Sequence, residues 1–382
     1  MKIHKFVMPE IIFGNGAIDQ VGNSCLRLGA SKVFIVSDPG ISEAGWLEVV
    51  INRCKEAGLQ YETFIDITVN PKDTEVDKGK DLYLQSECDA VIGIGGGSAI
   101  DAAKAIALLS TNDGKIHDYE GVDQIKKPLP PQVMIPTTAG SGSEVSQFSI
   151  ILDTEKKKKM SIISKSLIPD IAIIDPETLI TKSSHLTAST GIDVLTHGIE
   201  AYVSLAATPL TDVYAKNSIS LVAKYLRPSV ASKLNKDAKT NMAMASLQAG
   251  IAFSNAILGA VHAMSHAVGG KYPILHGDVN SILLPYVMEY NLIANPQKFA
   301  HIAYQLGLNA NGMTPIEAGK KAIEFVKQLI DDVGAPTKLS EIDVKQEEIP
   351  EMSFTALHDA CMITNPRDVT VEIIEELFRK AW

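Results

Sequence analysis

Five side chains in the second half of the chain have types and spacings that could hold a metal ion. Asp193 and His197 lie four positions apart in the helix-like segment TASTGIDVLTHGIEAYV, and His262 and His266 repeat that spacing in VHAMSHAVGG. Residues four apart leave one face of a helix. His276 follows a proline break, in a predicted loop. A carboxylate with neutral imidazoles suits Fe(II), Zn(II), Mn(II) or Co(II), whereas a histidine on an apolar helix is more often a core residue. The residues alone leave both readings open.

A glycine-rich turn in the first half could bind phosphate. The run Gly95–Ser98 follows the strand-like DAVIGI and precedes a helix-like segment. Glycines let the backbone approach a pyrophosphate, and a helix N-terminus offers free N–H donors. The turn also lies at the carboxyl end of a predicted buried strand, where open α/β sheets bind their ligands. A tight turn without a ligand is the alternative.

An acidic residue after another predicted strand could select the nucleotide. A carboxylate at Asp38 can accept hydrogen bonds from ribose hydroxyls and would repel a 2′-phosphate, which favours NAD over NADP. The alternative is an aspartate that begins an Asp-Pro-Gly turn. In the usual dinucleotide fingerprint the glycine loop precedes the acidic residue, whereas here Asp38 comes first.

A third loop, Pro136–Glu144, is dense in hydroxyls and glycines. Such a loop can line a nicotinamide ribose and a phosphate with neutral donors, although an ordinary polar loop has the same composition.

These residues must be positioned by two kinds of structure. Apolar strand-like runs alternate with helix-like segments in the first half, which predicts a doubly wound α/β domain with a mainly parallel sheet. The predicted strands are 32–37, 61–67, 89–94, 132–135 and 171–174, and the predicted helices are 49–58 and 98–109. After about Ser184 the apolar spacing becomes helical throughout, which predicts an all-α domain. Its predicted helices are 187–203, 211–226, 238–255, 314–333 and 371–381, with Thr211 and Thr314 as N-caps and Pro228 closing a helix. We therefore expect domains at 1–184 and 185–382.

Composition excludes some partners. The chain has 382 residues and a net charge of −10, which argues against nucleic acid as a partner. The basic run Lys156–Lys159 is typical of a solvated turn. Four scattered cysteines without a CxxC pair predict reduced thiols in a cytoplasmic protein, and no apolar run is long enough to span a membrane.

Taken together, these segments resemble the iron-containing alcohol dehydrogenase family. The likeness covers essentially the whole chain and is strongest with the methanol, 1,3-propanediol, butanol and lactaldehyde dehydrogenase group. It is carried by GIGGGSAIDAAKAIA (93–107), PTTAGSGSEV (136–145), TASTGIDVLTHGIEAYVS (187–204), LGAVHAMSHAVGGKYPILHG (258–277) and TNPR (364–367).

The resemblance implies roles for individual residues. The metal ligands would be Asp193, His197, His262 and His276, with Fe(II) as the metal and Zn(II) or Mn(II) as alternatives. His266 would lie near the nicotinamide and carry a proton. The implied NAD contacts are Asp38, Asn70, Gly96, Gly97, Ser98, Thr137, Thr138, Ser141, Ser146, Phe148, Lys159 and Leu179. Phe148, Phe253 and Cys361 are candidate walls of a substrate pocket.

The chain departs from the family pattern in two loops. The family commonly has Tyr-Asn/Asp-x-Pro-His, whereas this chain reads Tyr272-Pro273-Ile274-Leu275-His276. The shifted proline makes the loop before the fourth ligand differ, and with it the substrate pocket. The second departure is Ser141-Gly142-Ser143, where a threonine start is more usual.

The resemblance implies an NAD-linked, metal-dependent enzyme that interconverts small primary alcohols or diols and aldehydes, as a homodimer or higher homo-oligomer. Three other functions share parts of this pattern. A dehydroquinate-synthase-like lyase needs several basic residues for its acidic substrate, and the histidine segments offer only Lys271. A glycerol dehydrogenase usually binds its metal with one Asp and two His. A non-catalytic NAD-binding assembly protein would not need an intact ligand set.

Overall fold

The computed structural model describes residues 5–382. These residues separate into two compact units. The first contains the described residues up to Thr138 together with Gly142–Thr181, and the second contains Ala139–Ser141 and Lys182–Trp382.

The first unit is built on a six-stranded parallel sheet. The strands of the unit are β1 (Glu10–Phe13), β2 (Lys32–Val36), β3 (Gln60–Phe64), β4 (Ala90–Gly95), β5 (Gly121–Val122), β6 (Gln132–Pro136), β7 (Phe148–Asp153), β8 (Lys158–Ile163) and β9 (Ile171–Ile174). The strand order of the six-stranded sheet is β1-β9-β6-β4-β2-β3. The helices are α1 (Val21–Arg27), α2 (Pro39–Glu43), α3 (Trp46–Glu56), α4 (Asp73–Gln85) and α5 (Gly97–Thr111).

Both faces of this sheet are covered, which explains its apolar strands. Along β2, Phe34 and Val36 join a core with α4 and α5, whereas Val33 and Ile35 join a second core with α1 and α3. Strands buried on both sides read as continuous apolar runs. The predicted doubly wound, mainly parallel sheet is confirmed.

A small second sheet was not predicted. Strands β7 and β8 pair antiparallel, and β5 pairs parallel with β8. The basic run that was expected to be a turn lies partly in this hairpin: Lys158 and Lys159 belong to β8, and Lys159 is buried. Strand β8 reads KKMSII, with three polar residues among six, so the sequence does not show the continuous apolar run that is typical of a buried strand.

The second unit is helical, as predicted. Its helices are α6 (Ser184–Val203), α7 (Pro209–Ala231), α8 (Lys236–Ala256), α9 (Ala260–Lys271), α10 (His276–Asn291), α11 (Pro296–Gln305), α12 (Pro315–Asp332), α13 (Ile349–Leu357) and α14 (Val371–Ala381).

Two boundary predictions in this unit are wrong. Helix α7 begins at the cap Thr208, whose hydroxyl accepts from Thr211 N, so Thr211 is a member of a capping box instead of the cap itself. Pro228 does not close the helix, which continues to Ala231. The predicted cap Thr314 is confirmed.

Among the described residues, no single helix has both the length and the apolarity needed to cross a membrane. Helices α8 and α9 pass that test only as a pair, and the chain bends by 99° between them.

Candidate metal centre and nucleotide site

Helix α6 carries three polar side chains on one buried face. Asp193, His197 and Glu200 are spaced by four and three residues, so they project in the same direction. The helix begins at the cap Ser183, whose hydroxyl accepts from Leu186 N at 3.1 Å. All three side chains are buried.

Helix α9 is anchored to α6 by its first backbone N–H groups. Its N-cap, Gly259, has no side chain to satisfy them. Glu200 accepts from Val261 N at 2.7 Å and His262 N at 3.4 Å, and Asn365 accepts from Ala260 N at 3.2 Å. The free N–H groups of a helix start need such partners when buried. The contact brings His262 to Asp193.

His276 is the first residue of α10 and does not lie in a loop, contrary to the sequence prediction. The next residue explains its placement. A Cβ at Gly277 would lie 2.1 Å from the carbonyl oxygen of Ser189, so any side chain would push α10 away from α6. Glycine therefore allows the close approach of the two helices that puts His276 beside Asp193.

Three side chains converge on one point. Asp193, His262 and His276 each offer a ligand atom, and these atoms all lie within 4.8 Å of one another. His262 Nε2 is 3.5 Å from Asp193 Oδ1. His197 lies beside them: its Nε2 is 3.7 Å from Asp193 Oδ1, and its ring stacks on that of His262 with centroids 4.5 Å apart. Separations of this size suit ligands that share an ion at about 2.0–2.2 Å.

Two further polar residues orient this cluster. His262 Nδ1 is 2.6 Å from Glu200 Oε2, so Nδ1 donates its proton to this carboxylate and Nε2 is the ring nitrogen that faces Asp193. This carboxylate–imidazole pairing is usual behind a metal ligand. Asn280 donates through Nδ2 to Asp193 Oδ1 at 2.7 Å and accepts from the Ser265 hydroxyl.

The charges of the cluster favour a cation. Burial alone would raise the pKa of Asp193, but His197, His262 and His276 surround it and hold that pKa well below its usual range. Burial lowers the pKa of His197 to about 4. Burial also lowers the pKa of His262, but Asp193 and Glu200 outweigh it and raise the value to about 9. Asp193 and Glu200 thus stabilise a positive charge on His262, beside a neutral imidazole at His197. A metal ion that displaces the second proton of His262 would take the place of this charge between the same two carboxylates.

His266 is held separately from the cluster. Its ring stacks on His276 with centroids 5.3 Å apart, and its Nδ1 is 2.9 Å from Asp359 Oδ2. The other oxygen of Asp359 accepts from Cys361 N at 2.8 Å. Among the expected pocket walls, Phe253 stacks on His197 at 4.5 Å and Cys361 is buried near Asp359, whereas Phe148 belongs to the other unit.

In the first unit, the glycine-rich turn lies at the carboxyl edge of the sheet. Asp38 follows β2, Gly96 follows β4 and Thr137 follows β6, and these three strands are neighbours. The chain runs outward from β2 to β3 and then returns to the other side of β2 as β4. Such a reversal of strand order opens the crevice where open α/β sheets bind ligands.

Gly95 is required by this geometry. Its φ is +152°, and a Cβ there would lie 2.7 Å from the Ala99 methyl and 3.1 Å from Asp38 Oδ2. The cap residue Gly96 offers no side-chain bond to the first N–H groups of α5. Asp38 Oδ1 accepts from Ile41 N at 3.1 Å, so Asp38 caps α2 with one oxygen while the other faces the turn.

The remaining predicted NAD contacts differ in how deeply they are buried. Asn70 is half-buried and has a φ of +56°, a region that asparagine tolerates. Gly97, Ser98 and Thr138 are partly exposed at the same edge. Thr137, Ser146, Phe148, Lys159 and Leu179 are buried. Ser141 lies in Ala139–Ser141, which groups with the second unit.

Four residues that the sequence patterns did not reveal support the candidate site: Glu200, Asn280 and Asn365 around the cluster, and Asp359 beside His266. Glu200 carried a readable signal, because it continues the polar face of Asp193 and His197. Asn365 lies in the TNPR segment, but nothing in its spacing indicated a contact with α9. Asp359 and His266 are 93 positions apart, so their pairing depends on the tertiary fold.

Comparison with known proteins gives one consistent result. The profile of the iron-containing alcohol dehydrogenases matches residues 9–176, and that of the C-terminal part of the Fe-containing alcohol dehydrogenase family matches residues 187–382. The chain is 41% identical over 376 residues to the NAD-dependent methanol dehydrogenase of Bacillus methanolicus, covering 98% of this chain and 99% of the relative. It is 41% identical over 384 residues to the 1,3-propanediol dehydrogenase of Klebsiella pneumoniae, covering 100% and 99%.

A solved structure agrees with the sequence matches. The crystal structure of a 1,3-propanediol oxidoreductase superposes with a TM-score of 0.97 at 41% identity and covers 100% of both chains. With both halves of the sequence matched and the fold shared along its length, the chain belongs to the iron-containing alcohol dehydrogenase family.

Proposed function

We propose that this chain is an NAD-dependent, metal-dependent alcohol dehydrogenase that interconverts small primary alcohols or diols and the corresponding aldehydes by hydride transfer. The observation that carries the proposal is the convergence of Asp193, His262 and His276, with His262 oriented by Glu200. Relatives that are 41% identical over nearly their full length are named as dehydrogenases of methanol and 1,3-propanediol, which favours this chemistry over a lyase or a non-catalytic NAD-binding protein.

The proposed metal ligands are Asp193, His197, His262 and His276, and the proposed ion is Fe(II), with Zn(II) or Mn(II) as alternatives. The separations between their nitrogen and oxygen atoms and the ionised state of Asp193 support this set. When bound, the metal supplies Lewis acidity that lowers the pKa of an alcohol hydroxyl, and NAD supplies the hydride acceptor. Glu200 holds the proton on Nδ1 of His262, so Nε2 is the nitrogen that would coordinate the metal in place of a proton, and Asn280 fixes Asp193.

The proposed NAD contacts remain those implied by the resemblance to the family. Asp38 would accept from the adenosine ribose and disfavour NADP, and the first N–H groups of α5 would bind the pyrophosphate at Gly96, Gly97 and Ser98. The other proposed contacts are Asn70, Thr137, Thr138, Ser141, Ser146, Phe148, Lys159 and Leu179. The free oxygen of Asp38 beside Gly95 and the uncapped start of α5 support this assignment.

His266 is proposed to carry the proton released from the alcohol. Because Asp359 accepts from Nδ1, the neutral ring presents an unprotonated Nε2 that can act as a base. Asp359 in turn is fixed by Cys361 N. The role of Asp359 is therefore to set the tautomer of His266.

A substrate panel tests the proposal. The purified protein is stripped of metal, reloaded with Fe(II), Zn(II) or Mn(II), and assayed with methanol, ethanol, butanol, 1,2-propanediol and 1,3-propanediol, each with NAD and with NADP. We expect metal-dependent NADH formation with at least one small primary alcohol. Oxidation that is unaffected by metal removal, or no oxidation of any of them with any metal, would contradict the proposal.

We further propose that the protein acts in the cytoplasm as a homodimer or higher homo-oligomer. The four cysteines are free and buried, which is compatible with a reducing compartment. Light scattering during size-exclusion chromatography tests the oligomeric state, and a purely monomeric protein would contradict it.

A further inference from the structure

We infer that Lys104 is a positioning residue that holds the segment Ser146–Phe148 in place for the nicotinamide half of the dinucleotide. The inference rests on the proposed NAD-dependent function. Lys104 lies on α5, outside the residues assigned to the cofactor, and its side chain is fully buried. Its Nζ donates to Ser146 O at 2.7 Å, to Phe148 O at 3.0 Å and to Ser146 Oγ at 3.4 Å.

The number of partners matches the charged form of the side chain. An ammonium group has three N–H donors, and Lys104 has three acceptors, two of which are carbonyl oxygens that can only accept. Burial lowers the pKa of Lys104 to about 8, although Asp101 and Glu144 partly offset this effect. A buried lysine is costly unless its donors are satisfied, and the three hydrogen bonds of Lys104 meet this requirement only while the segment Ser146–Phe148 keeps its conformation.

Asp101 attaches the next part of the same segment to α5. Its Oδ2 accepts from Ile150 N at 3.2 Å, and its backbone oxygen accepts from the Ser149 hydroxyl at 2.8 Å. Asp101 and Lys104 are three residues apart and so share one face of the helix. One helix face therefore holds the backbone from Ser146 to Ile150.

The same helix begins at the turn proposed to bind pyrophosphate. Gly97 and Lys104 are both in α5, so a rigid helical segment of about 10 Å separates the turn from the Lys104 contacts. Ser146 and Phe148 are both among the proposed NAD contacts, and the polar loop that leads to them is suited to the nicotinamide ribose. We conclude that α5 aligns the two halves of the nucleotide site through Lys104.

The second unit offers a matched control. Lys239 on α8 is also buried, and its Nζ donates to Ser229 O at 2.9 Å and to Thr187 Oγ1 at 3.4 Å. Replacing either lysine with methionine removes a buried cation, and it leaves two carbonyls without this donor at Lys104 and one at Lys239. Only Lys104 contacts the proposed nucleotide site.

The experiment compares Lys104→Met, Lys239→Met and the wild-type protein, all free of metal. NADH binding is measured by fluorescence and ADP binding by calorimetry, since ADP carries the adenosine and pyrophosphate groups but no nicotinamide. For Lys104→Met we expect the Kd for NADH to rise roughly tenfold or more, as for the loss of charged hydrogen bonds, and the Kd for ADP to change less than about threefold. For Lys239→Met both constants should stay within about twofold.

Several outcomes would overturn the inference. They are an unchanged Kd for NADH in Lys104→Met, an equal loss of ADP affinity, or the same NADH defect in Lys239→Met. If Lys104→Met does not fold, Asp101→Asn replaces it, and an NADH affinity within about twofold of the wild type then overturns the inference. Wild-type protein that binds no NADH would refute the proposed function as well, whereas normal wild-type binding with an unaffected variant refutes the role of Lys104 alone.

Discussion

The candidate metal centre and the glycine-rich turn are formed by different kinds of chemical groups. The first is assembled from side chains on α6, α9 and α10, of which His262 is oriented by Glu200 and Asp193 by Asn280. The second is made of strand ends and backbone N–H groups, with Gly95 required for its shape. A site of charged side chains depends on each member, whereas a site of backbone donors tolerates most side-chain changes. Replacing a metal ligand in the first site should therefore abolish binding, whereas a substitution in the second site should weaken binding by degrees.

The largest effect is expected for Asp193→Ala. Removing the only carboxylate of the proposed ligand set leaves neutral imidazoles, and the Lewis acid that is worth several kcal/mol is lost with the ion. We expect bound iron to fall to background and the rate of alcohol oxidation to fall roughly 10³-fold or more, while NADH binding stays within about twofold. Metal analysis, rate measurements and NADH titration check these three expectations.

The control for this variant is Asp212→Ala, which removes a half-buried carboxylate of the same unit that pairs with Lys298. It should keep its metal and its activity. If Asp193→Ala kept stoichiometric iron, the side-chain description of the centre would be wrong.

The two histidine–carboxylate pairs allow a finer test. His262 pairs with Glu200 at 2.6 Å and His266 with Asp359 at 2.9 Å, but only His262 is a proposed ligand. We expect Glu200→Gln to weaken metal binding about 10–100-fold, as is typical for partners of ligating histidines. Asp359→Asn should leave metal affinity within about threefold and lower kcat instead. Competition with a chelator of known affinity gives the metal constants, and equal metal loss in both variants would break the distinction.

The sequence predicted the sheet best where a strand is buried on both faces, because the apolar run of such a strand is continuous. Residues 171–174 and 371–381 were predicted with the bounds that the structure has. The hairpin β7–β8 was missed because each strand has charged residues at one end, and β8 begins inside the basic run. Pro228 was given a helix-ending role, but the residues around it stay helical to Ala231, since tertiary contacts outweigh one missing N–H donor.

For the candidate site, the sequence supplied the residues that share a helix face and missed those that meet through the fold. Asp193 with His197 and His262 with His266 were visible as spacings. Separating His266 from the others required the family resemblance, and Asp359 could not be paired with it from spacing. His276 was expected in a loop because Pro273 stands shortly before it, although the proline lies inside the four-residue connection between α9 and α10 and the helix begins at His276 itself.

A smaller, graded effect is expected in the nucleotide site for Asp38→Ala. Losing a charged acceptor for the ribose should weaken NAD binding about tenfold and reduce the discrimination against NADP by a similar factor. The ratio of kcat/KM with NAD to kcat/KM with NADP measures this change. Glu43→Ala, an exposed acidic residue on the neighbouring helix α2, is the control and should leave the ratio unchanged. A wild-type enzyme that prefers NADP would refute the proposed role of Asp38.

The smallest expected effect is on the stability of the fold, and its sign differs between the buried carboxyl groups of Glu144 and Asp193. In the first unit, burial raises the pKa of Glu144 to about 7, and its Oε2 has no hydrogen-bond partner within the part of the chain that the structure describes. A carboxyl whose folded pKa is raised stabilises the fold below its unfolded pKa near 4.5, and this contribution is lost as the pH rises to about 7. Asp193, whose pKa is lowered, has the opposite sign. Glu144→Gln cannot ionise, so its melting temperature should rise relative to that of the wild type between pH 5 and pH 8.

We expect that relative rise to be a few degrees, which corresponds to about 1–2 kcal/mol for a unit of this size. Asp101 and Lys104 titrate in the same buried cluster, but both proteins contain them, so their contributions largely cancel in the difference. Glu43→Gln serves again as the exposed control and should show no change with pH. A constant difference between Glu144→Gln and the wild type across this range would mean that Glu144 is ionised in the folded protein throughout. Glu144, next to Lys104, would then carry its negative charge across this whole pH range. The nucleotide site would differ from the candidate metal centre only in its donor groups.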